Sequence, residues 1–314
     1  MAVSHANSNL GSVRTQEGAH EYMKEIRAHL LAVGMEELAI EGTYDASESG
    51  DSTQVPIERP ARNSPLSSTW MHFAFTDDRQ SENPIVVSFR VMYGYYFNYK
   101  YDSSGIEYPR YSIRVRISQG VDAAGEPLGA VLDTNNTGSR QGYSYEGQHE
   151  LEDRTGLGSF VRYAGDSLTM LIDHDGTYTN SGGNRGAVQL HIERLSGNDF
   201  VVMPLTAGTS NGPAQRVYYS SGSSIYSRTD LQTRPGGGLN MYEESRAVVT
   251  PIYAPLSSGG LATLKRAFIA PEDIGSATNI ISMDFSGAEK PYLLIKQNAM
   301  KAYESGTAWL YEWE

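Results

Sequence analysis

The chain has 314 residues, of which 39% are hydrophobic and 20% charged, a composition that can bury a core and predicts a folded protein. Its net charge of −12 and the lack of a dense run of Lys or Arg argue against nucleic acid as a partner. The absence of Cys excludes disulfides, thiolate zinc sites and a cysteine nucleophile.

The N-terminal segment predicts a polar arm and one helix. Residues 1–15 are rich in Ser, Asn and Gly, and we expect a flexible arm or one ordered only by a neighbour. No basic start precedes an apolar stretch, and no run of about 18 apolar residues occurs, so we expect a soluble chain without signal peptide or membrane insertion. In residues 16–33 apolar side chains recur every three or four positions, which is typical of an amphipathic helix, here ended by Gly34.

The rest of the chain alternates short β-prone runs with polar loops at 41–63, 120–150 and 207–238. No helical pattern of adequate length separates these runs, so the predicted fold is mainly β, with antiparallel β-sandwich or barrel-like domains and one N-terminal amphipathic helix. The predicted strands are 69–75, 85–101, 111–117, 160–163, 168–172, 187–193, 200–203, 216–219, 247–253, 279–285, 292–296 and 308–313.

Composition also suggests a division into three parts. Residues 1–66 hold the arm, the helix and a loop, residues 67–206 a β-sandwich-like domain, and residues 207–314 a C-terminal β domain. The second boundary rests on the Ser-, Gly- and Tyr-rich composition that begins at Ala207.

Alternation within strands predicts which side chains face a core. In residues 111–117 the apolar side chains occupy every second position, which places Arg114 and Arg116 together on the opposite face. In residues 187–193 the same pattern turns Leu190 and Ile192 inward and predicts that His191 lies at the surface.

The search for catalytic and metal motifs nominates no residue. Asp173, His174 and Asp175, with Asp166 upstream, could bind calcium or act as acid and base, but the spacing departs from an EF-hand and a polar turn is the favoured interpretation. The seven His show no HxH or HxxxH spacing, and no Gly-x-Ser-x-Gly elbow occurs. We therefore predict a non-enzymatic chain with no cofactor and no metal site.

Aromatic residues are candidates for contact surfaces. There are 21 Tyr against 8 Phe and 3 Trp, and Tyr suits surfaces that are both apolar and hydrogen-bonding. A row of aromatic residues in the 85–101 run fits a core or a subunit interface, with a glycan-stacking platform as the alternative. The row contains Tyr93, Tyr95, Phe97, Tyr99 and Tyr101, and the platform would contain Tyr93, Tyr95, Tyr96, Tyr99 and Tyr101.

Three segments resemble structural proteins of tailed bacteriophage particles: residues 21–34, residues 187–203 and residues 306–314. The resemblance implies a tail, baseplate, collar or fibre-attachment component, present in several symmetric copies. Its partners would be itself and other virion proteins, and it would be made in the host bacterial cytoplasm and carried out in the virion.

The resemblance implies an interface between subunits. We predict that this interface contains the arm before Gln16 and six aromatic residues, because Trp and Tyr most often anchor interfaces. The six aromatic residues are Tyr218, Tyr219, Tyr226, Trp309, Tyr311 and Trp313. A position in the strand core is an equal alternative for Trp309 and Trp313.

Two competing functions remain open. One is a carbohydrate- or receptor-binding module of a tail tip with a host glycan as ligand, and the other is a hydrolase using Asp173 and Asp175.

Overall fold

The computed structural model describes residues 2–6, 15–56, 66–93, 111–133, 148–150, 159–172, 188–204, 217–221, 224–228, 250–271, 280–284, 289–296 and 307–313. These residues form one α-helix, a 3-10 turn at Ser52–Gln54 and nineteen strands in three antiparallel sheets. The prediction of a mainly β protein with one N-terminal helix is therefore confirmed. Within the same residues, no helix is long and apolar enough to cross a membrane.

Strand β1, Ala2–Ala6, precedes the helix α1, Gln16–Ala32. The Thr15 hydroxyl accepts the backbone N–H of Gly18 at 3.0 Å and caps the first turn of α1. At the other end Gly34 has φ 91° and donates its N–H to Leu31, as predicted for a left-handed cap. The buried face of α1 holds Ala19, Tyr22, Met23, Ile26 and Leu30.

The first sheet, called the N-terminal sheet, has the order β2-β4-β5-β6-β7, with β3 on β5 and β8 on β6. The predicted strands in the 69–75, 85–101 and 111–117 runs are present in shorter or longer form, and residues 94–101 lie outside the described part. The strands are β2 Glu36–Glu37, β3 Leu66–Ser67, β4 Met71–Ala74, β5 Val86–Tyr93, β6 Tyr111–Ser118, β7 Val131–Asp133 and β8 Gln148–Glu150.

The central sheet has the order β1-β9-β10-β11-β12-β13-β14. The sequence predicted an arm at residues 1–15 that is flexible or ordered only by a neighbour. The structure corrects this for residues 2–6, which pair antiparallel with β9 of the same chain. Unpaired backbone groups of an edge strand are satisfied by such an addition. The strands are β9 Ser159–Tyr163, β10 Ser167–Ile172, β11 Val188–Arg194, β12 Phe200–Pro204, β13 Val217–Ser221 and β14 Ser224–Arg228.

The C-terminal sheet has the order β15-β16-β19-β18-β17. Its longest strand, β16, was not predicted, and the reason is a bulge. Pro251 pairs with Phe268 but Tyr253 pairs with Thr263, so the extra residues of β16 interrupt the alternation on which strand prediction depends. The strands are β15 Thr250–Pro255, β16 Leu261–Pro271, β17 Ile280–Asp284, β18 Glu289–Lys296 and β19 Thr307–Glu312.

Two hydrophobic clusters place the central sheet between the other elements. One face of it, including Val161, Met170 and Ile192, packs with α1 and the N-terminal sheet. The other face contributes Val201 and Met203 to a cluster with the C-terminal sheet. The central sheet is thus buried on both faces. The pairing of β12 with β13 crosses the boundary predicted after residue 206, and the division into domains stays a prediction.

Candidate functional site

Two of the six predicted interface residues have described side chains, and both are buried. Tyr311 is 0% exposed and Trp313 is 8% exposed. The Trp313 ring lies 5.2 Å from that of Phe160, edge to face. The structure gives both a role in the core of the chain, so neither is available as a surface anchor in this arrangement.

Other predicted residues have described backbone only or lie outside the described part. Tyr218 and Tyr219 belong to β13, Tyr226 to β14 and Trp309 to β19. Their interface role stays a prediction. The 173–175 segment and the aromatic row beyond Tyr93 lie outside the described residues.

A cluster of charged and polar side chains lies between the central sheet and the C-terminal sheet. We call it the interlayer polar cluster. Strands of the central sheet contribute most of it from one side, and β16, β18 and β19 contribute the rest from the other. Its members are Arg162, Asp166, Thr169, His191, Glu193, Arg266, Lys290 and Glu312.

Arg162 and Glu312 form the centre of this cluster. Nη2 of Arg162, a fully buried residue, lies 2.8 Å from Oε2 of Glu312, which is 5% exposed. The same carboxylate accepts a hydrogen bond from Arg266 and one of 2.9 Å from Nζ of Lys290. Burial by itself raises the pKa of Glu312, but the bonds from Lys290 and Arg266 and the charge of Arg162 outweigh it, so its pKa lies below the ordinary value.

Glu193 of the central sheet binds two backbone amides of the C-terminal sheet. Its Oε1 accepts the N–H of Lys265 at 2.6 Å and its Oε2 accepts the N–H of Arg266 at 3.2 Å. Both amides belong to the bulge of β16, where the extra residues leave the ladder and can turn two successive N–H groups to one anion. The bulge and a buried carboxylate 72 residues away in sequence therefore form one structural unit.

His191 corrects the prediction that it lies at the surface, because it is 0% exposed. Its Nδ1 lies 2.8 Å from the Thr169 hydroxyl and its Nε2 lies 3.3 Å from Oε2 of Glu193. Its ring stands 5.0 Å from that of Tyr311. Alternation correctly separated His191 from Leu190 and Ile192, but the second face is covered by the C-terminal sheet.

A hydroxyl, an imidazole and a carboxylate in series can support nucleophilic chemistry. In this series Thr169 is 4% exposed, His191 0% and Glu193 1%, and the carboxylate is already bound by two backbone amides. A reacting group needs access to its substrate. Because these three side chains are buried, a substrate cannot reach them in this arrangement. We interpret their contacts as a connection between the two sheets.

The turn between β11 and β12 is held from both sides. Arg194 forms an ion pair with Asp77 in the loop between β4 and β5: its Nη2 donates to Oδ1 at 2.9 Å, and its Nε lies 2.8 Å from Oδ2. From the opposite side the Asp199 carboxylate accepts the N–H and the hydroxyl of Ser257 at 2.6 and 2.8 Å. This turn therefore connects all three sheets.

A second polar cluster joins β1, α1 and β9. The Ser4 hydroxyl lies 2.8 Å from Nδ1 of His29, and Nε2 of His29 lies 3.5 Å from Oε1 of Glu25. The same oxygen accepts a hydrogen bond from Ser159. These contacts fasten the N-terminal strand to the helix.

The face of the N-terminal sheet opposite Ile113 and Val115 carries three arginines near one tryptophan. The Trp70 ring centroid lies 4.4 Å from Cζ of Arg90, 4.2 Å from Cζ of Arg116 and 5.9 Å from that of Arg114. These are cation–π distances. The predicted face of Arg114 and Arg116, opposite Ile113 and the other buried residues of β6, is confirmed.

The sequence reasoning missed most of these residues, although one signal was present. Residues 200–203 read Phe-Val-Val-Met, and all four are buried. A continuous apolar run is typical of a strand covered on both faces. It could have indicated that the outward side of β11, with His191 and Glu193, was also covered.

Among the residues that the structure describes, no group of three or more His, Asp or Glu side chains is placed to hold a metal ion. Comparison of the chain with protein-family models, curated proteins and solved structures found no match.

Proposed function

We propose that this chain is a non-enzymatic structural subunit of a multi-copy assembly, and that the assembly is the tail, baseplate or collar of a tailed-phage virion. The observation that carries the proposal is the use of Arg162, Glu193 and Glu312 as buried contacts between sheets. Side chains that could have served chemistry instead fix the relative position of two layers.

A subunit of a particle needs such fixed layers, because its interfaces must keep one geometry in every copy. Buried ionic groups favour one arrangement over others in several systems, since a shifted pairing would leave a charge without its partner. The cluster here would penalise any shift of the C-terminal sheet against the central sheet. The resemblance of three segments to phage structural proteins supports the specific context.

In this proposal the chain is made in a bacterial cytoplasm, and its partners are further copies of itself and other virion proteins. The contact residues are the N-terminal arm together with Tyr218, Tyr219, Tyr226 and Trp309, since aromatic side chains commonly anchor interfaces. Tyr311 and Trp313 support the core beneath them.

Negative-stain electron microscopy of the purified chain, alone and mixed with the proteins encoded beside it, tests this proposal. We expect rings or other discrete particles of uniform size. Single chains in every mixture would contradict it.

One observation favours a second candidate, a carbohydrate- or receptor-binding module of a tail tip. Trp70 is half-buried, and the guanidinium groups of Arg90 and Arg116 lie over its ring at 4.4 and 4.2 Å from the centroid. Guanidinium groups held by stacking on one ring suit the acidic substituents of a sugar. Glycan-array binding that is saturable in the wild type and lost in Trp70→Ala, but retained in a Tyr253→Ala control, would favour this candidate over the structural one.

A further inference from the structure

We propose that β1 is an exchanged strand: in the assembled protein, β1 of one copy pairs with β9 of a neighbouring copy. This inference rests on the proposed function as a multi-copy assembly, and it names the contact through which copies join. The partner is a second copy of this chain.

The position of β1 is the first observation. It forms an edge of the central sheet and pairs with β9 from Ala2 opposite Tyr163 to Ala6 opposite Ser159. Its other described contacts are the hydrogen bond between Ser4 and His29 and the packing of Ala2 against the core. Every copy of the chain presents the same β9 edge and the same His29, so a neighbour's β1 finds identical partners.

The composition of β1 is the second observation. Its sequence is Ala-Val-Ser-His-Ala, and Val3 is 37% exposed. A five-residue strand whose one aliphatic side chain larger than Ala is Val3 buries little apolar area, so its local opening costs far less than opening a strand of the core. Opening leaves the β9 edge without a partner, and such an edge is a template for another strand.

Charge gives a third argument. The chain carries a net charge of −12, which opposes the approach of two copies. β1 contains no Asp, Glu, Lys or Arg, so it can cross to a neighbour without bringing like charge with it. A strand without Asp, Glu, Lys or Arg is therefore suited to make the contact.

The connecting chain is long enough for exchange. Eight residues, 7–14, separate β1 from the cap of α1 at Thr15. At roughly 3.3–3.6 Å per extended residue, eight residues can span up to about 29 Å, which exceeds the width of several paired strands at about 4.8 Å each.

The absence of Cys in this chain makes disulfide trapping a clean test. The variant Ala6→Cys/Ser159→Cys places two thiols at positions that are Cα partners in β1 and β9. The variant is purified, allowed to assemble, oxidised and run on a denaturing gel without reductant. Exchange predicts a shift from single chains to covalent multimers, because each disulfide then joins two copies.

The matched control is Tyr253→Cys/Thr263→Cys, a pair of exposed partners in one hairpin. It must yield single chains, because β15 and β16 are joined by a short turn. Ser4→Cys/Val161→Cys, a second pair from the same register, gives a further test if the first variant does not fold.

The outcomes separate the inference from the function on which it rests. Multimers in solution whose disulfides lie within single chains would overturn strand exchange and leave the assembly proposal intact. Single chains at every concentration, alone and with partner proteins, would overturn both.

Discussion

The carboxylate of Glu193 accepts the backbone N–H of Lys265 at 2.6 Å and thereby joins the central sheet to the C-terminal sheet. The bond reaches the bulge in β16, and the N–H of Arg266 next to it binds the same carboxylate at 3.2 Å. The irregularity that breaks the sequence pattern of β16 is thus the feature that makes a binding site for Glu193.

Replacement of Glu193 by Gln should destabilise the fold. The amide keeps one acceptor oxygen but turns an NH2 group toward a backbone N–H, so one buried donor loses its partner. Hydrogen bonds to charged groups contribute about 1.5–3 kcal/mol, and we expect a loss of that size in the free energy of unfolding, measured by chemical denaturation.

The control for this variant is Glu289→Gln, since Glu289 is exposed in the same C-terminal sheet. We expect a change within about 0.5 kcal/mol for the control. Equal stability of the two variants would contradict the role assigned to Glu193.

Glu312 should make stability depend on pH in the acid range. Its pKa in the folded protein lies below the ordinary value, because the bonds from Lys290 and Arg266 and the charge of Arg162 outweigh burial. Its contribution is therefore complete above the unfolded pKa of about 4.3 and is lost as the pH falls through the folded pKa. The melting temperature of Glu312→Gln should lie below that of the wild type at pH 7, and the difference should shrink toward pH 3. A difference that stays constant over this range would argue against the ion pairs.

His72 should titrate far below an ordinary histidine. Burial, and after it the charge of Arg116, lower its pKa to about 4. Its Nδ1 lies 2.8 Å from the Ser88 hydroxyl, and Gly125 closes the other side of the ring. An NMR titration of the ring protons measures this value directly, and a midpoint near 6.5 would show that the ring is not buried as described.

The same residue has a consequence for stability. Because the folded pKa of His72 is lowered, the unfolded chain takes up the proton first, so stability is complete above pH 6.5 and falls between about pH 6.5 and 4, by up to about 3 kcal/mol. His72→Gln should flatten this part of the curve of unfolding free energy against pH. An unchanged slope in the variant would contradict the assignment.

Two glycines at the ends of α1 should respond to Ala in opposite directions. Gly34 has φ 91°, where a Cβ is strained, so Gly34→Ala should cost about 1 kcal/mol. Gly18 lies within the helix, where Ala is better than Gly by about 0.5–1 kcal/mol. Thermal melts of both variants test the assignment of the helix end, and a stabilising Gly34→Ala would refute it.

Local patterns were sufficient to predict some elements. The spacing of Tyr22, Ile26 and Leu30 predicts α1, and the alternation around Val115 predicts β6 with its buried and arginine-bearing faces. In each case one face of the element meets a core and the other does not, so the period appears in the sequence.

Other features depend on contacts between distant segments. The prediction that His191 lies at the surface is wrong, because alternation within a strand indicates one covered face. It does not indicate whether a second sheet covers the other face. The partner of β1 is β9, more than 150 residues away, and a short strand of small residues carries no signal for that pairing. The charged members of the interlayer polar cluster come from separate strands, so no single motif contains them.

Light scattering on the purified wild-type chain, over a range of concentrations, tests the central claim most directly. If this chain is a structural subunit of an assembly, we expect a discrete mass equal to a whole number of 34.4 kDa chains, for the chain alone or for its complex with neighbouring proteins. A mass of one chain under all these conditions would contradict the claim.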